Sequence, residues 1–140
     1  MATDLKTDLD VMSSPAAIHI VSPAEFDPGT AQTPGSERRA AIAPALGIAS
    51  AIWGGLFEVT PGSRTGIHHH GEQETIAYVL EGEVRSKVGD DPEKTYATGQ
   101  MFLETPNQLH AVSGNASKTK PARLLAVMLA EKGKQLTTPA

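Results

Sequence analysis

Four of the five histidines fall in two short segments, His68-His69-His70 and, about forty residues on, His110. Residues two apart on a strand project from one face, so His68 and His70 can present imidazoles to a single point while His69 points away. A carboxylate, Glu74, follows after the polar turn Gly71-Glu72-Gln73. If Glu74 opens the next strand, an antiparallel pairing brings it beside the two imidazoles. His110 opens another strand-like segment and suits a fourth ligand arriving from elsewhere in a closed barrel.

Three neutral imidazoles and a carboxylate serve first-row metals (Zn, Fe, Ni, Cu, Co or Mn) better than Ca or Mg, without choosing among them. Four protein ligands on a metal that accepts five or six leave positions for water, O2 or a chelating substrate. The histidine run is central and flanked by strand-like sequence, unlike a terminal tag. His69 is expected to be exposed or to support the site as a hydrogen-bond donor, and His19, with no metal-like neighbour, to be structural. Arg64 and Tyr78 are the candidate substrate-binding residues, because Arg offers a bidentate fork and Tyr a polar tip. Gln73, Arg85 and Trp53 are weighed beside them. Barrel packing is the competing reading for Trp53 and Tyr78, and an outward polar face for Arg85 with Lys87.

These side chains need strands to hold them. From Gly47 onward, short apolar or alternating segments are separated by Gly and Pro, as in an all-β barrel or sandwich. The expected strands are Gly47 to Trp53, Leu56 to Thr60, Thr65 to His70, Glu74 to Leu80, Glu83 to Val88, Lys94 to Ala97, Met101 to Glu104, Leu109 to Ser113 and Ala122 to Ala130. Turn signals stand between them at Pro61-Gly62, Glu81-Gly82, Gly89-Asp90-Asp91-Pro92 and Thr98-Gly99. The expected core includes Phe57, Val59, Leu80, Phe102, Leu124, Leu125 and Val127. Before about Pro44 the chain is rich in Pro, Gly, Ser, Thr and Ala, and only Ala17 to Val21 could be a strand. The rest of that stretch suits an arm against a partner or a disordered terminus equally.

A chain of 140 residues with 39% hydrophobic content fits one domain. The absence of cysteine excludes disulfides, thiolate ligands and a cysteine nucleophile. A net charge of −4 with scattered basic residues, and only six aromatics, argue against nucleic acid. No apolar run suits a membrane span or signal peptide, so a cytoplasmic protein is expected. Serine-hydrolase, phosphate-loop and dinucleotide motifs are absent.

The spacing Gly62, five residues, His68-x-His70, three residues, Glu74, then Gly82 resembles the first cupin motif, and Gly99 to His110 resembles the second. Asn107 stands where the family has Gly, a mild change because Asn tolerates a left-handed backbone; Thr105 stands where it has Pro. The interval from Glu74 to Gly82 is one residue longer than usual. A β-bulge near Thr75 to Ala77 would absorb it; otherwise Thr75 takes the glutamate position and the site is a three-histidine one. The resemblance covers about Ala31 to Thr138, and the run Thr30 to Gly35 looks like one subgroup of small single-domain bacterial cupins. It implies an all-β, single-domain cupin jelly-roll β-barrel over residues 31–140 behind an irregular, partly disordered arm over 1–30. It also implies a divalent metal in the barrel mouth and a homodimer. The resulting expectation is a His3Glu-bound metal, Zn, Ni, Fe or Mn, acting as Lewis acid on a small oxygenated molecule in isomerase, lyase or cyclase chemistry, with Glu74 as the base. A dioxygenase and a non-catalytic small-molecule binder stay open beside it, whereas a sensor fused to a helical DNA-binding domain has no room before Gly47.

Overall fold

The computed structural model describes residues 17–28, 36–47, 49, 51–129 and 137–139. They contain ten strands: β1 (Ser36–Ile42), β2 (Ile52–Val59), β3 (His68–His69), β4 (Thr75–Glu81), β5 (Glu83–Val88), β6 (Lys94–Ala97), β7 (Met101–Glu104), β8 (His110–Asn115), β9 (Ala122–Leu129) and β10 (Thr138–Pro139). Two 3-10 turns, Pro23–Glu25 and Pro44–Leu46, are the only helical pieces among the described residues. The strands form two antiparallel five-stranded sheets, β1-β2-β9-β4-β7 and β10-β3-β8-β5-β6, the jelly roll expected from the sequence.

Alternation decides what lies between the sheets. On β4, Thr75, Ala77 and Val79 are buried while Ile76 and Leu80 are exposed, and on β9, Ala122, Leu124, Ala126 and Met128 are buried while their odd-numbered neighbours are not. One core cluster gathers around Trp53 with Ala40, Ala43, Ala126 and Met128; another joins Val79, Val84 and Leu124, with Phe57, Tyr96 and Phe102 packed against it. Three expected core residues are therefore corrected: Leu80, Leu125 and Val127 are 41%, 41% and 36% exposed. Leu124 and Leu125 are successive strand residues and cannot share a face.

Other expectations change for local reasons. The two strands expected over Gly47 to Trp53 and Leu56 to Thr60 are one strand, β2. Gly54-Gly55 does not break it; a Cβ at Gly55 would run into the Arg39 carbonyl of the adjoining β1, so the glycine permits close backbone approach. β1 itself was hidden because one of its inward residues is the charged Arg38. Ala17 to Val21 is no strand, and Ile18 and Ile20 project outward, with His19 exposed between them. Asp27 bridges Ala40, so the end of the arm adds to β1. The remainder of the 1–30 arm and the Thr30 to Gly35 run lie, apart from residues 17–28, outside the described residues.

The extra residue before Gly82 is absorbed at a register shift between Val79 and Glu81, where β4 pairs with β9, and not near Thr75 to Ala77. Gly82 then turns the chain with φ +75°, and a Cβ there would meet the Pro121 carbonyl. Asn107 has φ 60° and donates its N–H to the Gly71 carbonyl at 2.6 Å, the left-handed role expected of it. No helix among the described residues is long and apolar enough to cross a membrane.

Candidate metal centre

β3 is two residues long and is gripped on both sides. His68 pairs with His110 of β8, and His68–His69 pair with Pro139–Thr138 of β10. The pairing with β8 sets the His68 and His110 rings 4.9 Å apart, and His70, just beyond β3, brings its ring to 5.0 Å from the first and 4.8 Å from the second. Their ligand nitrogens all lie within 4.8 Å of one another, so the three can hold a metal ion.

The protonation states suit that use. His68 Nδ1–H donates to the Gly66 carbonyl at 2.7 Å, which leaves the Nε2 lone pair for a metal. Burial holds His68 below the usual imidazole range, and it drives His110 down to about 3, helped by the neighbouring His70 and His68. His69 accepts the Gly71 N–H on Nδ1 at 3.1 Å, within its own turn and away from the cluster.

The carboxylate at the cluster is Glu104. Its Oε2 is 3.1 Å from His110 Nε2 and 3.7 Å from His70 Nε2, and burial raises its pKa from 4.5 to about 8. Glu104 Oε2 is buried without a hydrogen-bond partner, and so is Thr75 Oγ1, which faces it across the β4–β7 pairing. Two such orphaned oxygens beside three imidazoles fit a divalent metal with a water or ligand, because buried polar atoms otherwise carry a desolvation cost of about 1–3 kcal/mol each.

Glu74 is placed elsewhere. It precedes β4, is exposed, and offers its backbone carbonyl to Leu129 N–H. The register shift lies far down β4, so Thr75 keeps the inward phase and Glu74 is one residue out of it. Thr75, the residue that the three-histidine alternative puts at the glutamate position, is the buried one, and a carboxylate arrives opposite it from β7. A signal for Glu104 was present: in Met101-Phe102-Leu103-Glu104, a residue sharing a face with core Phe102 must also point inward.

The expected substrate-binding pair is not at the cavity either. Arg64 is exposed and bridges Gly114, and Tyr78, half-buried, alternates to the outer side of β4. The cation that does line the cavity is Arg38, 2% exposed. Its Nη1 donates to Thr137 Oγ1 at 3.0 Å, its guanidinium lies 5.3 Å from the Trp53 ring centre, and burial lowers its pKa to about 10, which leaves it charged. Ser113 and an apolar wall of Phe57, Ala77, Leu124, Ala126 and Met128 complete a cavity of about 40 Å³. That is room for about three water-sized groups.

Residues 55–128 match the family described as Cupin domain. No curated protein matches the chain. Among solved structures, a predicted oxalate decarboxylase from Thermotoga maritima superposes with a TM-score of 0.65 at 20% identity, covering 80% of this chain and 99% of that one. The polyketide cyclase RemF from Streptomyces resistomycificus gives 0.67 at 21%, covering 88% and 85%. KdgF from Halomonas sp. gives 0.63 at 12%, covering 84% and 97%. At these identities the likeness is one of fold.

Proposed function

The chain belongs to the cupin domain family, and on that footing we propose that it is a metal-dependent enzyme acting on a small anionic, oxygenated organic molecule. The observation that carries this reading is the convergence of His68, His70 and His110 on the orphaned Glu104 Oε2. A divalent metal held there would supply Lewis acidity toward a substrate oxygen. His68 is pre-set for ligation by its bond to Gly66, and Glu104, placed at the same point, can hold or return a proton at Oε2. Arg38 gives the cavity a fixed cation suited to a carboxylate, and the apolar wall excludes water from the rest of the molecule. A 2+ metal with Arg38 outweighs the single charge of Glu104, so a neutral ligand would leave the pocket net positive. Isomerase, lyase or cyclase chemistry follows from proton movement beside a polarised oxygen. Decarboxylase and cyclase activities, named for two proteins of similar fold, fall in that range.

The test is proton exchange. Protein loaded with Zn or Mn, incubated in D2O with small 2-oxo and 3-oxo acids, is expected to place deuterium beside the carbonyl, visible by proton NMR, and Glu104→Gln is expected to abolish it. Thermal stabilisation by the same acids with neither exchange nor product would make the protein a binder and overturn the enzymatic reading.

A further inference from the structure

The inner face of the β1-β2-β9-β4-β7 sheet steps through three rungs at the cavity. The first runs Trp53, Met128, Thr75, Glu104 across β2, β9, β4 and β7, and carries the two orphaned oxygens. The second runs Gly55, Ala126, Ala77, Phe102, so three of its four residues are Gly or Ala. The third closes the floor with Phe57, Leu124 and Val79. Residues two apart on a strand share a face, so what the second rung lacks in side chain is left as space between the other two. At the β2 end that space is refilled: a Cβ on Gly55 would stand 2.9 Å from the Trp53 ring, and the Arg38 guanidinium lies against the same ring. What stays open is a shelf over Ala77 and Ala126, both of which line the cavity of about 40 Å³.

We propose that Ala77 and Ala126 set the length of the molecule the site accepts, and that the class it fits is the three-carbon 2-oxo or 2-hydroxy acid. The inference rests on the metal-dependent reading above and narrows it. Three features border one small space: the Arg38 cation, the imidazoles with Glu104, and the two alanines. An acid whose second carbon carries an oxygen can give its carboxylate to Arg38 and that oxygen to the metal. Its third carbon then faces Ala77 and Ala126. A methyl group suits that surface and a second carboxylate does not, because Arg38 is the one Arg or Lys among the described lining residues. Room for about three water-sized groups matches a carboxyl, a carbonyl and a methyl. A longer chain meets Leu124 and Phe57, which stand side by side under the shelf.

Calorimetric titration of the full chain, zinc-loaded and metal-free, with the straight-chain 2-oxo acids of two to six carbons reads the length limit directly. Affinity is expected to peak at 2-oxopropanoate in the zinc-loaded protein and to fall at least ~10-fold at each of the next two methylenes. Leu124→Val, which deepens the floor, should move the peak to 2-oxobutanoate. Ala126→Val, which fills the shelf with a residue suited to a strand, should move it to glyoxylate at unchanged zinc content. Ile76→Val, on the outer face beside Ala77, should move nothing. A wild-type maximum at another length, a maximum that neither inner variant moves, or binding of none of these acids to either form would overturn the proposal. The enzymatic reading fails separately: a length limit as described, with no deuterium exchange, would uphold this proposal and leave the protein a binder of the same acids.

Discussion

Thr75 and Glu104 stand directly opposite each other across the β4–β7 pairing, and both side chains enter the same cavity. A carboxylate could therefore reach the three imidazoles from either strand. Glu104→Gln is expected to weaken Zn or Mn binding at least ~10-fold, whereas Glu74→Gln, altering an exposed residue, should leave it unchanged. The exchange Thr75→Glu with Glu104→Thr should recover most of the loss. Calorimetric titration of the four proteins checks this; a loss in Glu74→Gln matching that in Glu104→Gln would refute the assignment.

Replacing His68 or His110 by Ala should remove stoichiometric metal, measured by inductively coupled plasma mass spectrometry. The wild type should gain about 2.7 kcal/mol of stability when free metal reaches about 100 times its Kd, and the variants should gain none.

The pKa shifts fix how the metal-free protein responds to pH. Glu104 titrates at about 8 when folded and 4.5 as a free carboxyl, so the folded state holds that proton more tightly and stability falls as pH rises through this window. His110 acts in the opposite sense: folded it stays neutral to about 3, while the unfolded chain takes up a proton below 6.5, so stability falls as pH drops between those values. His68 adds to the acid-side loss. Thermal scans of the metal-free protein should peak near pH 6. Metal uptake at neutral pH should expel about one proton, seen as a heat that depends on the buffer's ionisation enthalpy. A buffer-independent heat would mean that Glu104 is already ionised.

Arg38→Met keeps much of the side chain's length and its contact with Trp53 but deletes the charge. Small carboxylates are expected to bind the metal-loaded variant at least ~10-fold more weakly, with metal content unchanged. Equal affinity in both proteins would remove Arg38 from the binding site.

Much of this was legible from strand periodicity. His68-x-His70 declares its own facing, and the segments Glu83–Val88, Lys94–Ala97 and Met101–Glu104 were readable to the residue because their turns are marked by Gly. The carboxylate was not, since its assignment depended on where one extra residue is taken up, and sequence placed the shift at the start of β4 when it lies near the end. Leu125 and Val127 misled because an apolar residue on the outer face of a sheet has the same composition as one turned toward the core. Arg38 misled in reverse, as a charge pointing inward.

Asn107 offers a local check on the turn beside the centre. Asn107→Gly should be close to neutral, while Asn107→Ala, forced to φ 60°, should cost about 1–2 kcal/mol in chemical denaturation.

The strand that bears His68 exists only because β8 and the Thr138–Pro139 segment clasp it from either side. Chain synthesis and refolding therefore meet the same order of events. A nascent or unfolded polypeptide carries a loose His68-x-His70 chelate and nothing more, and the third imidazole and the carboxylate join only when segments far apart in sequence have docked. Metal capture then reports completion of the fold, and an ion released by partial unfolding would leave in one step with the closing of the barrel undone.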